Sequence, residues 1–277
     1  MQLEKRNLLD LERSELEKVI TGMGEKKFRA GQVFGWLSKG AVSFDEMTNV
    51  PKSLRERLAE DGWYIGLPDA ERIQRSKDGT VKCLFRFDDS MDMKPCDAAE
   101  DTDEETCGAG TSVEDADDVT AVESVFMKYS YGNSICISSQ CGCRMGCTFC
   151  ASTMDGLRRD LTGGEMLGQV LAMRNLTGED IGHVVVMGMV EPVDNDEGLS
   201  SFINLIHDEK GYGLGLRNIT VSTCGLIPGI KRFAEDFPQV NLAVSLHAPN
   251  QKLRERTMPA AKKYAYDDLL AACRQYT

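Results

Sequence analysis

Apolar residues recur along this chain in two rhythms. Up to residue 60 they fall three and four apart: Leu16, Val19 and Ile20, then Phe28, Val33, Trp36 and Leu37, then Leu54 and Leu58. That spacing lines one face of a helix. A short extended entry should lead into the first helix, with Ser14 or Asp10 as its cap and Gly22-Met23-Gly24 as its end. Residues 1–62 therefore read as a small helical domain. Lys26, Lys27 and Arg29 project from the first turn of its second helix, where a basic turn either touches phosphate or is simply solvated. From Trp63 the pattern changes to strands: residues 73–76, a turn at Asp78-Gly79 and residues 81–87 form a hairpin signal. The sheet resumes over residues 121–129 and turns at Gly132-Asn133.

Beyond that turn, continuous apolar runs alternate with helical periodicity. Residues 134–140, 181–189, 218–223 and 240–246 read as strands, and residues 162–175, 199–208, 228–236 and 266–276 as helices, the first opened by the capping box Thr162-Gly163-Gly164-Glu165. Four β/α units imply an α/β fold with a parallel sheet covered on both faces. Ligands in such sheets sit at the carboxyl ends of the strands. Three parts follow: a helical domain at 1–62, a β-hairpin region at 63–133, and a β/α domain at 134–277.

Composition changes this picture at one place. The net charge of −12 is not spread evenly: residues 1–87 carry 16 basic and 14 acidic side chains, residues 88–123 carry 1 and 14, and residues 124–277 carry 15 and 16. The stretch 88–120 has few large apolar groups and is expected to be a disordered insert, with Cys96 and Cys107 incidental to it. The remainder is close to neutral, so bulk charge neither supports nor excludes RNA binding. Five of the ten cysteines fall within 15 residues, which is no disulfide framework, and the amino terminus lacks a signal-peptide core. No run reaches the roughly 18 apolar residues of a membrane span. These features imply a reducing, cytoplasmic setting and no membrane.

The chemistry gathers in Cys143, Cys147 and Cys150, spaced C-x3-C-x2-C directly after the strand 134–140. Three thiolates on so tight a loop can hold three corners of a 4Fe-4S cluster, leaving one iron open. S-adenosylmethionine (SAM) suits that corner: its amino and carboxylate groups chelate the iron, and an electron splits the sulfonium bond to give a 5'-deoxyadenosyl radical. The competing readings are a zinc knot with Cys141 as fourth ligand, or clustered inert thiols. Zinc sites usually bring two separated C-x2-C pairs, and no second pair exists here. The other strand ends carry polar groups that would converge on the same place. Glu191 can accept from the methionine ammonium, Ser222 and Ser245 can bond the carboxylate or ribose, and Leu246, His247 and Asn250 can line the pocket. Taken singly, each of these is as readily a turn or a packed side chain.

Eight motifs now fall in one order. They are residues 24–30 (GEKKFRA), 44–48 (FDEMT), 76–80 (SKDGT), 136–140 (CISSQ), the cysteine loop, 187–192 (MGMVEP), 222–225 (STCG) and 245–250 (SLHAPN). Together they resemble the RlmN family, radical-SAM methyltransferases acting on adenine C2 of ribosomal and transfer RNA. The resemblance implies a partial radical-SAM (β/α) barrel, four of six units, with an N-terminal helical RNA-binding domain and a β-hairpin linker. It implies a 4Fe-4S cluster and SAM as cofactors, an external electron donor, ribosomal RNA and also transfer RNA as substrates, and a monomer. By position Glu123 resembles the family's general base, and Cys136 the thiol that resolves a protein-RNA crosslink. Read on their own, they are a solvated strand-face carboxylate and a buried thiol.

Three departures accompany the resemblance. Val190 stands where the family has glycine, and is expected to weaken SAM binding if that position needs a positive φ. Cys224 stands where the family has serine. The family's methyl-carrying cysteine lies beyond a sixth unit, so the resemblance implies an enzyme cut short; Cys273, inside an amphipathic helix, is no substitute. Rival readings are a non-catalytic remnant that binds RNA or a protein partner, and a radical-SAM enzyme acting on another substrate.

Overall fold

A computed structural model of the protein describes residues 5–88 and 119–276. The expected acidic insert lies outside the described residues except at its margins, Asp88 and residues 119–120, which belong to strands. Cys96 and Cys107 lie outside them as well.

The amino-terminal unit runs β1 (Arg6–Asn7), a 3-10 turn at Leu8–Asp10, α1 (Arg13–Gly22), α2 (Phe28–Leu37), α3 (Lys52–Glu60) and β2 (Trp63–Tyr64). Its first and last strands pair in parallel, Arg6 opposite Trp63, which closes the unit on itself. Neither Ser14 nor Asp10 caps α1. The cap is Glu12, whose backbone amide donates to the Glu15 carboxylate at 2.9 Å. Asp10 is used across the molecule instead, as described below. Leu16, Ile20, Val33, Leu37, Leu54 and Leu58 are buried as the spacing implies, but Phe28 is 56% exposed with the Arg29 guanidinium over its ring. It occupies the first helical position of α2, where the chain still faces solvent.

The remaining elements are β3 (Asp69–Arg75), β4 (Val81–Asp88), β5 (Val119–Tyr129), β6 (Gly132–Ile137), β7 (Gln140–Gly142), β8 (Leu157–Asp160), α4 (Gly163–Thr177), β9 (His183–Val186), α5 (Asp196–His207), β10 (Ile219–Thr223), α6 (Ile227–Asp236), β11 (Asn241–Val244), α7 (Gln251–Thr257) and α8 (Tyr266–Tyr276). One seven-stranded sheet has the order β11-β10-β9-β6-β5-β4-β3. Its first four strands are parallel and the rest antiparallel. The hairpin region and the β/α region therefore share a sheet. The expected strand 134–140 stops at Ile137, because residues 140–142 leave to pair antiparallel with β8.

The sheet is not covered equally on both faces. Phe85, Val122, Phe126, Ile135, Val184, Val186 and Val221 are buried on one side, whereas Glu123, Val125, Cys136, Val185 and Ser222 on the other are half-buried. The apolar runs alternate after all, since the second face is the concave side of an incomplete barrel. Helix α4 sits at the centre and is buried nearly all round. The expected capping box is present, with Thr162 Oγ1 accepting from Glu165 N at 3.1 Å and the Glu165 carboxylate accepting from Thr162 N at 2.9 Å. Gly164 lets the amino-terminal unit approach: a Cβ there would lie 2.6 Å from the Asp10 amide nitrogen, and Gly164 N donates to Asp10 Oδ1 at 2.9 Å. Arg174 and Asn175, at the other end of α4, donate to the Ser38 and Gly40 carbonyls.

Candidate functional site

The end of β6 is held by a side chain that acts as a strand would. Gln169 on α4 accepts from Ser138 N at 2.9 Å, donates to Ser138 O at 2.8 Å, and accepts from Ser124 Oγ at 2.9 Å. The chain then enters the cysteine loop through β7 and leaves it through β8, so a two-stranded ribbon clamps residues 143–156. Gly142 has φ 78°, and a Cβ would fall 2.0 Å from Gly156 O, the atom that accepts from Cys143 N. Only glycine fits there. Inside the loop Gly146 N donates to Thr153 Oγ1 at 2.9 Å and Cys150 N to Cys147 O at 3.1 Å. Thr148 N donates to Thr257 O, tying the loop to α7, and Arg144 pairs with Asp194 next to the β9 end.

Cys143, Cys147 and Cys150 line one cavity of about 280 Å³ together with Glu191, Ser222, Ser245 and His247. The cavity opens at the carboxyl ends of β6, β9, β10 and β11, where sheets of this kind bind ligands. Cys141 is not among its lining residues; its thiol lies 3.6 Å from the Ala121 carbonyl on β5. Burial pushes the Cys143 and Cys147 thiols up, and the Arg254 cation pulls Cys147 the other way.

Glu191 is 2% exposed, and both carboxylate oxygens already accept bonds, from Thr223 Oγ1 and Cys224 N, each at 2.6 Å. Burial raises its pKa against the pull of those bonds. Its own amide donates to Gln140 Oε1 at 2.8 Å, which locks the β9 end to the start of the cysteine loop. Ser222 Oγ donates to the Val186 carbonyl at 3.0 Å while facing the cavity. His247 is the one non-glycine residue with positive φ among the described residues, at 52°, and its ring meets Phe149 of the cysteine loop edge-on at 4.7 Å. Val190 lines the cavity without positive φ, so the strain expected there is absent. Leu246 does not line the cavity but packs with Ile230, Leu269 and Ala272. The Asn250 side chain caps α7 by accepting from Leu253 N at 3.0 Å.

Glu123 and Cys136 lie outside the cavity lining, on the concave face of the sheet. Cys136 is opposite Val125 in the β5-β6 register, and Glu123 is two residues from Val125, which places both on one face. The Glu123 carboxylate is paired with Lys82 Nζ at 2.6 Å, and both are about half exposed. Burial raises the Cys136 thiol pKa, with the Met187 backbone pulling it back. Met187 itself lines the cavity.

The donor set suits a cubane cluster. Among the described residues no three His, Cys, Asp or Glu side chains converge on the position of a single ion, and a cube does not ask this, since each thiolate meets a different iron. The other side of the fit is a cation. Arg254 is fully buried; its Nη2 donates to the Cys224 carbonyl, while Nε and Nη1 have no partner. Arg254, Gln169 and Asn195, whose Nδ2 donates to the Ser139 and Leu161 carbonyls at 2.8 Å, carry no signal of their own in the sequence. Gln140, one residue from the cysteines, carries a positional hint.

Residues 6–62 match the family described as Ribosomal RNA large subunit methyltransferase N-terminal domain, and residues 137–277 match the Radical SAM superfamily. The chain is 45% identical over 274 residues to a protein of Alkaliphilus oremlandii named Probable dual-specificity RNA methyltransferase RlmN, covering 99% of this chain and 71% of that one. A protein of the same name from Clostridium tetani is 42% identical over 98% of this chain and 69% of its own length. Among solved structures, a radical SAM methyltransferase from Sphaerobacter thermophilus superposes with a TM-score of 0.82 at 38% identity, over 98% of this chain and 72% of the other.

Proposed function

Because the chain belongs to the RlmN family of radical-SAM RNA methyltransferases, we propose that it methylates C2 of adenine in large-subunit ribosomal RNA, with transfer RNA as a second substrate. The observation that supports this most is the meeting of three loop thiols and the ends of β9, β10 and β11 around one cavity. A 4Fe-4S cluster held by Cys143, Cys147 and Cys150 would supply an electron to the sulfonium of SAM.

The chain's own groups have distinct tasks in this reading. Ser222 and Ser245 present hydroxyls to the polar methionyl and ribose groups of SAM, and Glu191 presents its remaining lone pairs to the ammonium while holding the β9 and β10 ends together. His247 and Phe149 meet edge-on at the rim of the cavity, both still exposed, where an adenine base of the ligand could stack. Glu123, with Oε1 on Lys82, keeps Oε2 to take the proton lost when the adenine ring regains aromaticity. Cys136, on the same face, supplies the thiol that would attack the sulfur of a cysteine–CH2–adenine link: an S–S bond forms with the methyl-carrying cysteine that the family resemblance implies, the S–CH2 bond breaks, and its electron pair stays on the carbon, which takes a proton to become the C2 methyl. The amino-terminal helices supply RNA contacts, Lys26 and Phe28 being exposed at the entry to α2 with the half-buried Arg29 over the Phe28 ring.

The test is to incubate the anaerobically reconstituted protein with reductant, SAM and unmodified ribosomal or transfer RNA, and to analyse digested nucleosides by mass spectrometry. Cleavage of SAM that depends on Cys143, Cys147 and Cys150 is expected. Any methyl group added should be on C2 of adenine; one on an exocyclic nitrogen or a ribose hydroxyl would overturn the reading.

A further inference from the structure

Helix α7 packs directly on the cysteine loop. Thr257 at its end accepts from Thr148 N at 2.9 Å, and Met258 packs with Cys147 and Cys224. From the middle of this helix Arg254 turns inward. It is the largest fully buried side chain of the described residues. One nitrogen, Nη2, donates to the carbonyl of Cys224, which itself packs against Cys147. The other two, Nε and Nη1, have no hydrogen-bond partner.

A guanidinium keeps its proton in any protein environment, so this is a full positive charge held out of water. Burying such a charge without a counter-ion costs several kcal/mol, which natural folds accept where an anion completes the site. The thiolates and inorganic sulfides of an iron-sulfur cluster are such an anion, and each added electron makes it more negative. A fixed cation beside it therefore favours the reduced state, because net charge and hydrogen bonds to sulfur set the potential of these clusters.

We propose that Arg254, held against Cys224 beside Cys147, is the buried countercharge of the cluster, its uncompensated positive charge raising the potential at which the cluster accepts its electron. The proposal rests on the reading that Cys143, Cys147 and Cys150 hold the cluster. Arg254 touches no substrate in it; it acts by charge.

The experiment uses anaerobically reconstituted wild-type protein, Arg254→Lys and Arg254→Met, each analysed for iron and sulfide and then titrated redox-metrically with the reduced cluster followed by electron paramagnetic resonance. For Arg254→Met the equilibrium for one-electron reduction is expected to fall by about tenfold or more, which is about 59 mV or more toward negative potential. Arg254→Lys, which keeps the charge, is expected to stay close to wild type. Loss of cluster in Arg254→Met with retention in Arg254→Lys supports the same conclusion. A fully loaded Arg254→Met at the wild-type potential overturns it, as does an equal shift, or equal loss of cluster, in both variants, since shape rather than charge would then be at stake. A wild-type protein that takes up no iron overturns the three-cysteine assignment and the proposal with it.

Discussion

The side-chain amide of Gln169 pairs with the backbone of Ser138 at two points, N–H and C=O, in the way a neighbouring strand would. Ser138 is where the sheet releases the chain toward the cysteine loop, and Ser124 Oγ also ends on Gln169. Gln169→Leu would leave these buried groups without partners, at about 1–3 kcal/mol for each that water does not reach. We expect a loss of about 2–4 kcal/mol in urea unfolding. A change below about 0.5 kcal/mol would show that the strand end holds itself.

The ligand set can be tested without activity. Cys141 is turned toward the Ala121 carbonyl, whereas Cys147 faces the cavity. Reconstituted Cys141→Ala should retain its full iron and sulfide, and Cys147→Ala should lose most of both. Equal losses would remove the distinction.

Asp10 joins the amino-terminal unit to α4, and burial raises its pKa above the ordinary 3.8, against the opposing bonds from Thr162 and Gly164. Between the ordinary and the raised pKa the folded protein holds a proton that the unfolded chain has lost, so this group's contribution to stability falls as pH rises through that window and is level outside it. Asparagine does not titrate. The stability of wild type minus that of Asp10→Asn, from urea titrations at closely spaced pH from about 4 upward, should decline and then flatten. A difference that stays level over this range would mean that the hydrogen bonds outweigh burial and place the window below 3.8.

Val190→Gly is expected to bind SAM no more tightly than wild type. The backbone at Val190 is not in the left-handed region, so glycine relieves nothing there. It adds backbone freedom and removes a cavity wall, an effect of up to about 1 kcal/mol, or several-fold weaker binding. Tighter binding by isothermal titration would restore the idea that valine obstructs the site.

The features legible in the sequence were those whose chemistry is local. The cysteine spacing, the Thr162-Glu165 capping box and the order of strands and helices each reside in a short window, and the structure keeps them. The features that were not legible depend on a distant partner. Glutamine on a helix reads as solvent-facing until the strand end it serves is known, and Gln169 meets Ser138 across 31 residues. Arg254 reads as a surface charge within a seven-residue helix that periodicity is too short to announce. Phe28 shows the reverse error, an apolar residue in phase with the core but placed before the helix turns inward. That Glu123 and Cys136 share a face followed only once the β5-β6 register was known.

The β4-β5 pairing has a practical use. Its register runs unbroken from Val81 opposite Phe126 to Asp88 opposite Val119, so the 30 residues between those last two positions leave and re-enter the sheet at facing points. Because β5 is antiparallel to β6, those points are at the end of the sheet from which the cysteine loop departs. The entropy of closing such a connection changes by only about 0.6 kcal/mol per doubling of its length. Asp88 and Val119 are thus a place to graft a short labelled peptide, carrying a spin label or fluorophore, that would report from the end of the sheet where the cysteine loop departs.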